Sequence, residues 1–310
     1  VLFAILLLAA GAALVFGGAE TAIRGAGALA KAAGIPIFAI GAVLFGIDLE
    51  GLGTSVFAAA RGQTAVAGGE IFGTVAFLFG GAFGLALILA PKPVESPPAE
   101  HVLLPSAGLF TIALAARDAT ITRVEGVLLL GLYAVYVVYV LFDRRLAEPA
   151  MAEIEHEAQE GPSGKAAALG LTFLGLGVVA LGAAALVEGG VRILARTALV
   201  PGFVGAAIIG VLASLDEVLL EVLPIRRGQD DLATGNLFGT LAAFTTGVIG
   251  ITALVRPLVL DGGGLAALIF SAALYAVIAT AFLWRGRAGR VMGFSLITAY
   301  GLFLALASKI

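Results

Sequence analysis

The chain has 310 residues, of which 60% are hydrophobic and 13% charged, with 43 glycines, a mean hydropathy of +1.09 and a formal net charge of −3. This composition excludes a soluble domain, and with no basic cluster long enough for an anionic polymer it excludes nucleic acid as a partner. With no cysteine, disulfides and thiolate metal sites are excluded as well.

A membrane-spanning helix needs roughly 17–25 mostly apolar residues, and such stretches run through the whole chain. An all-α polytopic membrane protein is predicted, with about ten transmembrane helices at residues 1–22, 34–59, 66–90, 102–116, 125–142, 168–190, 200–224, 232–255, 264–284 and 291–308. The first stretch, "VLFAILLLAAGAALVFGG", has no basic region before it and no separate cleavage site, so it reads as a span and not as a signal peptide. Glu20 with Arg24, and Glu188 with Arg192, are spaced i, i+4 near span ends, where a salt bridge accounts for them. Tyr133, Tyr136 and Tyr139 read as packing or an interfacial belt, and His101 and His156 as solvated residues of polar connectors.

Residues 143–165, "DRRLAEPAMAEIEHEAQEGPSGK", form the main polar break. The break lacks the Asp/Asn and Gly pattern of a calcium loop and reads as a solvated linker. It divides the chain into a first five-helix half (1–143), an acidic cytoplasmic linker (144–166) and a second five-helix half (167–310). Counting Lys and Arg by connector places both termini outside, in a multi-pass protein of the cell membrane.

The two halves repeat one another. "RGQTAVAGGEIFGT" from Arg61 to Thr74 returns as "RGQDDLATGNLFGT" from Arg227 to Thr240, at a constant offset of 166, with Glu70 in one copy where the other has Asn236. Five spans separate equivalent positions, and five is odd, so the copies are expected to form inverted repeats. That is a signature of secondary transporters with a site at the midplane between the halves.

Ionisable residues inside hydrocarbon cost about 2.5–3.5 kcal/mol each on insertion scales and are functional candidates by default. They gather in the duplicated segments: Asp48, Glu50 and Glu70 in the first, Asp216, Glu217 and Glu221 in the second. On a helix, Ser214, Glu217 and Glu221 share a face, matched in the first copy by Asp48, Gly51 and Ser55. Thr74 and Thr240 add hydroxyls. Oxygen ligands of this kind suit hard cations such as Na⁺ or Ca²⁺, or protons. Gly46, Gly51, Gly53 and Gly210 permit either unwinding beside these acids or close helix approach. For Gly69-x-x-x-Gly73 and Gly235-x-x-x-Gly239 close packing is expected.

With these motifs in view, the sequence resembles the calcium/cation antiporter superfamily, which includes sodium/calcium exchangers. "GGAETAIRGAGALAKAAGIP" and "DATITRVEGVLLLGLYAVYVVYVL" are similar to that family's first and fifth spans. "ASLDE" (Ala213 to Glu217) resembles the end of its Gly-Thr-Ser-Leu-Pro-Glu signature, and "GNLFGT" (Gly235 to Thr240) its Gly-Asn-x-x-Gly-Ser. The resemblance implies Glu217 as the cation-binding glutamate, with Ser214, Thr74 and Thr240 as hydroxyl ligands. In the first copy, "IDLEG" puts Gly51 where the family has its glutamate, Asp48 at its serine and Glu50 at its proline; Asp216 replaces proline in the second. Leu78 and Phe244 stand where the family carries Asn or Asp.

The expected function is that of a secondary active cation antiporter of the sodium/calcium exchanger type. It would exchange Ca²⁺ or another cation against Na⁺ or H⁺ by alternating access, with Glu217, Ser214, Asp48, Glu50, Thr74, Thr240, Asp216, Glu221 and Glu70 as the cation-binding set. No cofactor is expected beyond the transported cations; the expected partners are inorganic cations and the lipid bilayer, and no catalytic activity is foreseen. The alternatives are a transport-inactive homologue acting as a sensor or assembly partner, and an intramembrane aspartyl protease using Asp48 and Asp216. The protease reading lacks the Gly-x-Gly-Asp motif of such enzymes.

Overall fold

A computed structural model describes residues 2–46, 48–62, 64–115, 118–143, 164–194 and 215–307. Apart from short connectors, the described residues are helical with four two-residue strands. In chain order the first half carries α1 (Leu2–Ala33), α2 (Ile37–Ile40) running into a π-helical turn (Gly41–Phe45), and α3 (Leu49–Ala60). Next come α4 (Thr64–Phe77), a second π turn (Leu78–Ala82), α5 (Phe83–Leu89), β1 (Val94–Glu95), α6 (Ala99–Leu103), α7 (Ser106–Ala115), β2 (Thr120–Ile121) and α8 (Arg123–Phe142). The second half carries α9 (Lys165–Leu194), α10 (Leu215–Arg226), α11 (Asp230–Ala242), a third π turn (Ala243–Val248) and α12 (Ile249–Val255). It ends with β3 (Leu258–Val259), α13 (Gly262–Arg285), β4 (Arg287–Ala288) and α14 (Arg290–Ala307).

Six helical segments among the described residues are long and apolar enough to cross a membrane: Phe3–Ala33, Ala67–Leu89, Arg123–Phe142, Lys165–Gly182, Asp230–Val255 and Gly262–Arg285. Gly51–Ala60 and Arg290–Leu306 are shorter apolar helices. Several expected boundaries shift. The first span continues beyond residue 22 to Ala33, because Glu20 and Arg24 neutralise each other at 3.1 Å instead of ending the helix. The second is interrupted between Phe45 and Leu49, where Asp48 starts a new helix.

The segments Ala67–Leu89 and Asp230–Val255 form the centre, and large side chains such as Phe72, Phe79, Phe83, Phe238 and Phe244 are buried there. Both carry a π turn one helical turn beyond their threonine, at Leu78 and Ala243. In the second, Thr245 and Thr246 donate their hydroxyls to the carbonyls of Leu241 and Ala242, using oxygens that the widened turn leaves available. α13 is tied in by Ser271 Oγ donating to Phe72 O at 2.9 Å and Tyr275 OH donating to Val102 O at 2.6 Å.

At the periphery α1 and α9 lie along each other with glycines at the seam. A Cβ on Gly18 would sit 2.7 Å from Val179 N, and one on Gly175 would sit 2.3 Å from Ala22 N. Two ribbons join the halves: β1 with β4 (Val94 opposite Ala288) and β2 with β3 (Thr120 opposite Val259).

Of the roles expected for the tyrosine series, packing is the one the structure shows. Tyr136 is buried and Tyr133 packs over Gly247, because the face of α8 that bears them turns inward against the third π turn. His101 is likewise fully buried, against Phe38, with Nε2 2.9 Å from Asp143 Oδ2. Burial pushes its pKa below the ordinary 6.5, opposed by the Asp143 carboxylate. The polar neighbours in sequence suggested a solvated residue, but the carboxylate that holds it lies 42 positions away. His156 lies outside the described residues.

Candidate cation-binding site

Four helices carry the candidate side chains: α3 and α4 from the first copy, α10 and α11 from the second. α3 begins where Asp48 Oδ1 accepts a hydrogen bond from the Gly51 backbone N–H at 3.0 Å. This is an N-cap geometry, which offsets one of the helix's unpaired N–H groups. Part of the Asp48 carboxylate is therefore engaged by the backbone at the interruption that the nearby glycines were expected to allow.

One turn into α3, Ser55 is buried and bonded to the next helix: its Oγ lies 3.2 Å from Glu70 Oε2 of α4 and also donates to Gly51 O. In the second copy Asn236 Nδ2 of α11 donates to Glu221 Oε1 of α10 at 2.9 Å, with both residues fully buried. Ser55 and Glu221 are equivalent at the offset of 166, and so are Glu70 and Asn236. The same interhelical bond is thus made twice, with the carboxylate on the later helix in one copy and on the earlier helix in the other. The Glu70/Asn236 difference compensates the Ser55/Glu221 difference.

The second copy's site is buried and rich in unmatched oxygen. Glu217 is buried one turn before Glu221 on α10, and Thr240 one turn after Asn236 on α11. Glu221 Oε2, Asn236 Oδ1 and Thr240 Oγ1 have no hydrogen-bond partner among the described residues. Buried oxygens of this kind are normally satisfied, by a cation, a proton or water where no protein donor meets them. In the first copy Glu70 and Thr74 are only half-buried.

Where the resemblance puts the family's first glutamate, the chain has Gly51, and Phe244 accounts for the space. A Cβ on Gly51 would lie 2.7 Å from Phe244 Cζ and 2.5 Å from Asp48 Oδ2. The Phe244 ring is fully buried. The two departures are coupled, since the aromatic ring fills the room that a longer side chain at 51 would need.

The paired glycines do not behave alike. Gly235 and Gly239 lie against the backbone of Phe38 and Ala42, with a Cβ at either meeting an atom at 2.3 Å, whereas among the described residues nothing lies within 4 Å of a Cβ built on Gly69 or Gly73. The packing role expected for both pairs is seen for the second, where the Ile37–Phe45 segment crosses α11 closely; the counterpart of that segment at the offset of 166, residues 203–211, lies outside the described residues.

Of the sequence-derived residues, Ser214 lies outside the described residues, and Glu50 and Asp216 are described only as helical positions. The structure brings Glu221 to Asn236, Glu70 to Ser55, and Phe244 to Gly51. Asn236 was absent from the candidate set; the signal that would have found it is the offset itself, which maps Ser55 and Glu70 onto Glu221 and Asn236.

A family model described as "Sodium/calcium exchanger protein" matches residues 3–142 and 167–309. CaxA of Alkalimonas amylolytica, a candidate antiporter by name, is 29% identical over 147 residues, and the match spans about half of each chain, 46%. The uncharacterized membrane protein MJ0091 of Methanocaldococcus jannaschii is 23% identical over 263 residues, 85% of this chain and 83% of that one. Among solved structures, the sodium-calcium exchanger NCX_Mj soaked with zero Na⁺ and Ca²⁺ superposes with a TM-score of 0.79 at 21% identity, covering 98% of both chains. The same exchanger soaked with 10 mM Na⁺ and 10 mM Sr²⁺ gives 0.80 at 22% identity, again over 98% of both chains. These two likenesses establish a shared fold.

Proposed function

Because the chain belongs to the sodium/calcium exchanger family, a family of multi-pass transporters of inorganic cations, we propose that it is a secondary active cation antiporter. It works by alternating access between two inverted five-helix repeats, residues 1–143 and 167–310, joined by a cytoplasmic linker. Three pairs of features separated by about the same offset support this arrangement. They are the π turns at Leu78–Ala82 and Ala243–Val248, the Ser55–Glu70 and Glu221–Asn236 bonds, and the two ribbons. The ribbons also support the parity of the count. Each joins two connectors, β1 with β4 and β2 with β3, that ten alternating spans put on one side of the membrane.

The site is centred on Glu217, with Glu221, Thr240 and Thr74, and with Ser214, Asp48, Glu50, Asp216 and Glu70 around it. The observation that carries the reading is the group of buried, unmatched oxygens on Glu221, Asn236 and Thr240. The ion follows from what is missing. Ca²⁺ takes six to eight oxygens, and here Gly51, Leu78 and Phe244 supply no side-chain oxygen. A set with fewer side-chain oxygens than Ca²⁺ prefers is better matched to a monovalent cation or a proton. Transport is therefore of a monovalent cation, or of a cation against protons, with weak Ca²⁺ affinity. The Phe244 ring beside Gly51 also favours a second reading, a transport-inactive homologue serving as a sensor or assembly partner.

The test is flux in proteoliposomes with Ca²⁺, Na⁺, K⁺ and proton gradients imposed in turn. Uptake of Na⁺ or Ca²⁺ driven by a proton gradient is expected. Na⁺-driven Ca²⁺ uptake insensitive to pH between about 6 and 8, across the range in which a perturbed carboxylate titrates, would overturn the proton-linked reading. No flux under any gradient would select the inactive homologue.

A further inference from the structure

A groove of about 950 Å³ opens where the connector after α5 meets the turn between α13 and α14. Four cationic side chains line it: Lys92, Arg285, Arg287 and Arg290. Their compensation is small. Lys92 Nζ is 3.8 Å from Asp230 Oδ2, and Arg290 donates to the Ala90 carbonyl at 3.1 Å. Among the described residues none of the three arginines is in an ion pair.

Apart from the hydroxyls of Thr280 and Ser295, the rest of the lining is mostly hydrocarbon. Val277 and Ala281 belong to α13, whose 24 residues are long and apolar enough to span a bilayer. Val291, at the start of α14, is 83% exposed. The cations thus sit at the end of a spanning helix, where headgroups lie, while the apolar wall runs back along that helix towards the acyl chains. Trp284 stands between the two zones, 87% exposed, as an interfacial indole does. An excess of inner positive charge explains why cations lie on this side. It does not explain why four of them, from two connectors held together by the β1–β4 ribbon, surround one half-apolar groove.

We propose that this groove binds an anionic phospholipid of the surrounding bilayer. Its phosphate is held by the guanidinium groups, which present paired donors matched to phosphate oxygens, and its acyl chain lies along the Val277 face of α13. Basic pockets between membrane helices take anionic headgroups by this physics. The apolar wall distinguishes a lipid from free phosphate as the occupant, since inorganic phosphate gains nothing from it.

The chain supplies its own reporter, because Trp284 is its only tryptophan. The full chain is reconstituted in phosphatidylcholine vesicles containing increasing fractions of brominated phosphatidylglycerol or, in parallel, brominated phosphatidylcholine, and Trp284 fluorescence is followed. Quenching is expected at a several-fold lower fraction of the anionic lipid. The preference should fall with each charge removed and vanish in the triple variant R285Q/R287Q/R290Q. The double variant R285Q/R287Q keeps the Arg290–Ala90 hydrogen bond and gives the same reading if the triple variant fails to fold. Equal quenching by both lipids, or a preference that survives in the double variant, would overturn the proposal. So would loss of quenching by brominated phosphatidylglycerol on adding inorganic phosphate at constant ionic strength, which would identify free phosphate as the ligand.

Discussion

The segments 48–78 and 214–244 began as copies, and the ways in which they now differ show what each does. In both, two neighbouring helices are tied by one side-chain hydrogen bond at equivalent positions, Ser55 to Glu70 and Asn236 to Glu221. A bond between a carboxylate and a donor survives when the two change places, so this geometry tolerated an exchange of chemistry. The second copy is closed around buried oxygens on Glu217, Glu221, Asn236 and Thr240; the first has glycine at 51, the Phe244 ring against it, and half-buried Glu70 and Thr74. A duplicated site has thus become one-sided. Among the described residues most of the buried candidate oxygens lie in the second copy, while the first offers a partly accessible carboxylate.

The largest effect is expected at the residue on which this asymmetry rests. E217Q keeps the side-chain shape and removes the charge, so flux in proteoliposomes should fall to that of protein-free vesicles while the thermal unfolding midpoint stays near wild type. Flux at the wild-type rate would move the centre of the site to the first copy. The converse experiment restores the first copy. G51E alone forces a side chain against the Phe244 ring, and overpacking a filled core costs about 1–3 kcal/mol, so its unfolding midpoint should drop. G51E/F244D vacates the space and adds two carboxylates, and is expected to regain stability and gain Ca²⁺ affinity, measured by isothermal titration. If G51E destabilises the F244D variant as much as it destabilises the wild type, the two departures are not coupled.

Much of this was legible in the residues. The duplication, the hydropathy of the spans and the family motifs led to the fold, because membrane helices satisfy their own backbone and announce themselves by composition. Glu217 and Thr240 were singled out by their motifs, and both are buried. The coupling of Gly51 to Phe244 was not, because it joins residues 193 positions apart through a ring whose direction no local pattern encodes. The Glu221–Asn236 bond was hidden for a different reason. Each residue looked like a departure when read within its own copy, and only the two departures together restore a bond. His101 was misread because burial of a polar residue depends on its partner, and Asp143 lies at the far end of α8.

A double-mutant cycle tests the exchanged bond with a smaller effect. S55E places a second carboxylate beside Glu70 and should destabilise the chain; S55E/E70N rebuilds the second copy's arrangement in the first and should recover most of the loss. A coupling of about 0.5–3 kcal/mol is expected for residues in contact, read from urea unfolding of the full chain in detergent. Strict additivity would mean that the two bonds are not structural equivalents.

The smallest effect separates the copies most cleanly, because the same substitution should have opposite consequences. G239A drives a methyl group to within 2.3 Å of the Ala42 backbone. The main chain cannot yield as a flexible side chain would, so loss of stability is expected. G73A meets nothing within 4 Å among the described residues and replaces a helix-interior glycine by the best helix former, a gain of at most about 1 kcal/mol. Thermal unfolding midpoints should therefore move down for G239A and slightly up, or not at all, for G73A. Flux adds a second discrimination, since Gly73 adjoins half-buried Thr74. If cations approach along the first copy, G73A slows transport without weakening the fold. If G73A destabilises as much as G239A, the first copy is packed as tightly as the second and the open approach past Glu70 and Thr74 does not exist.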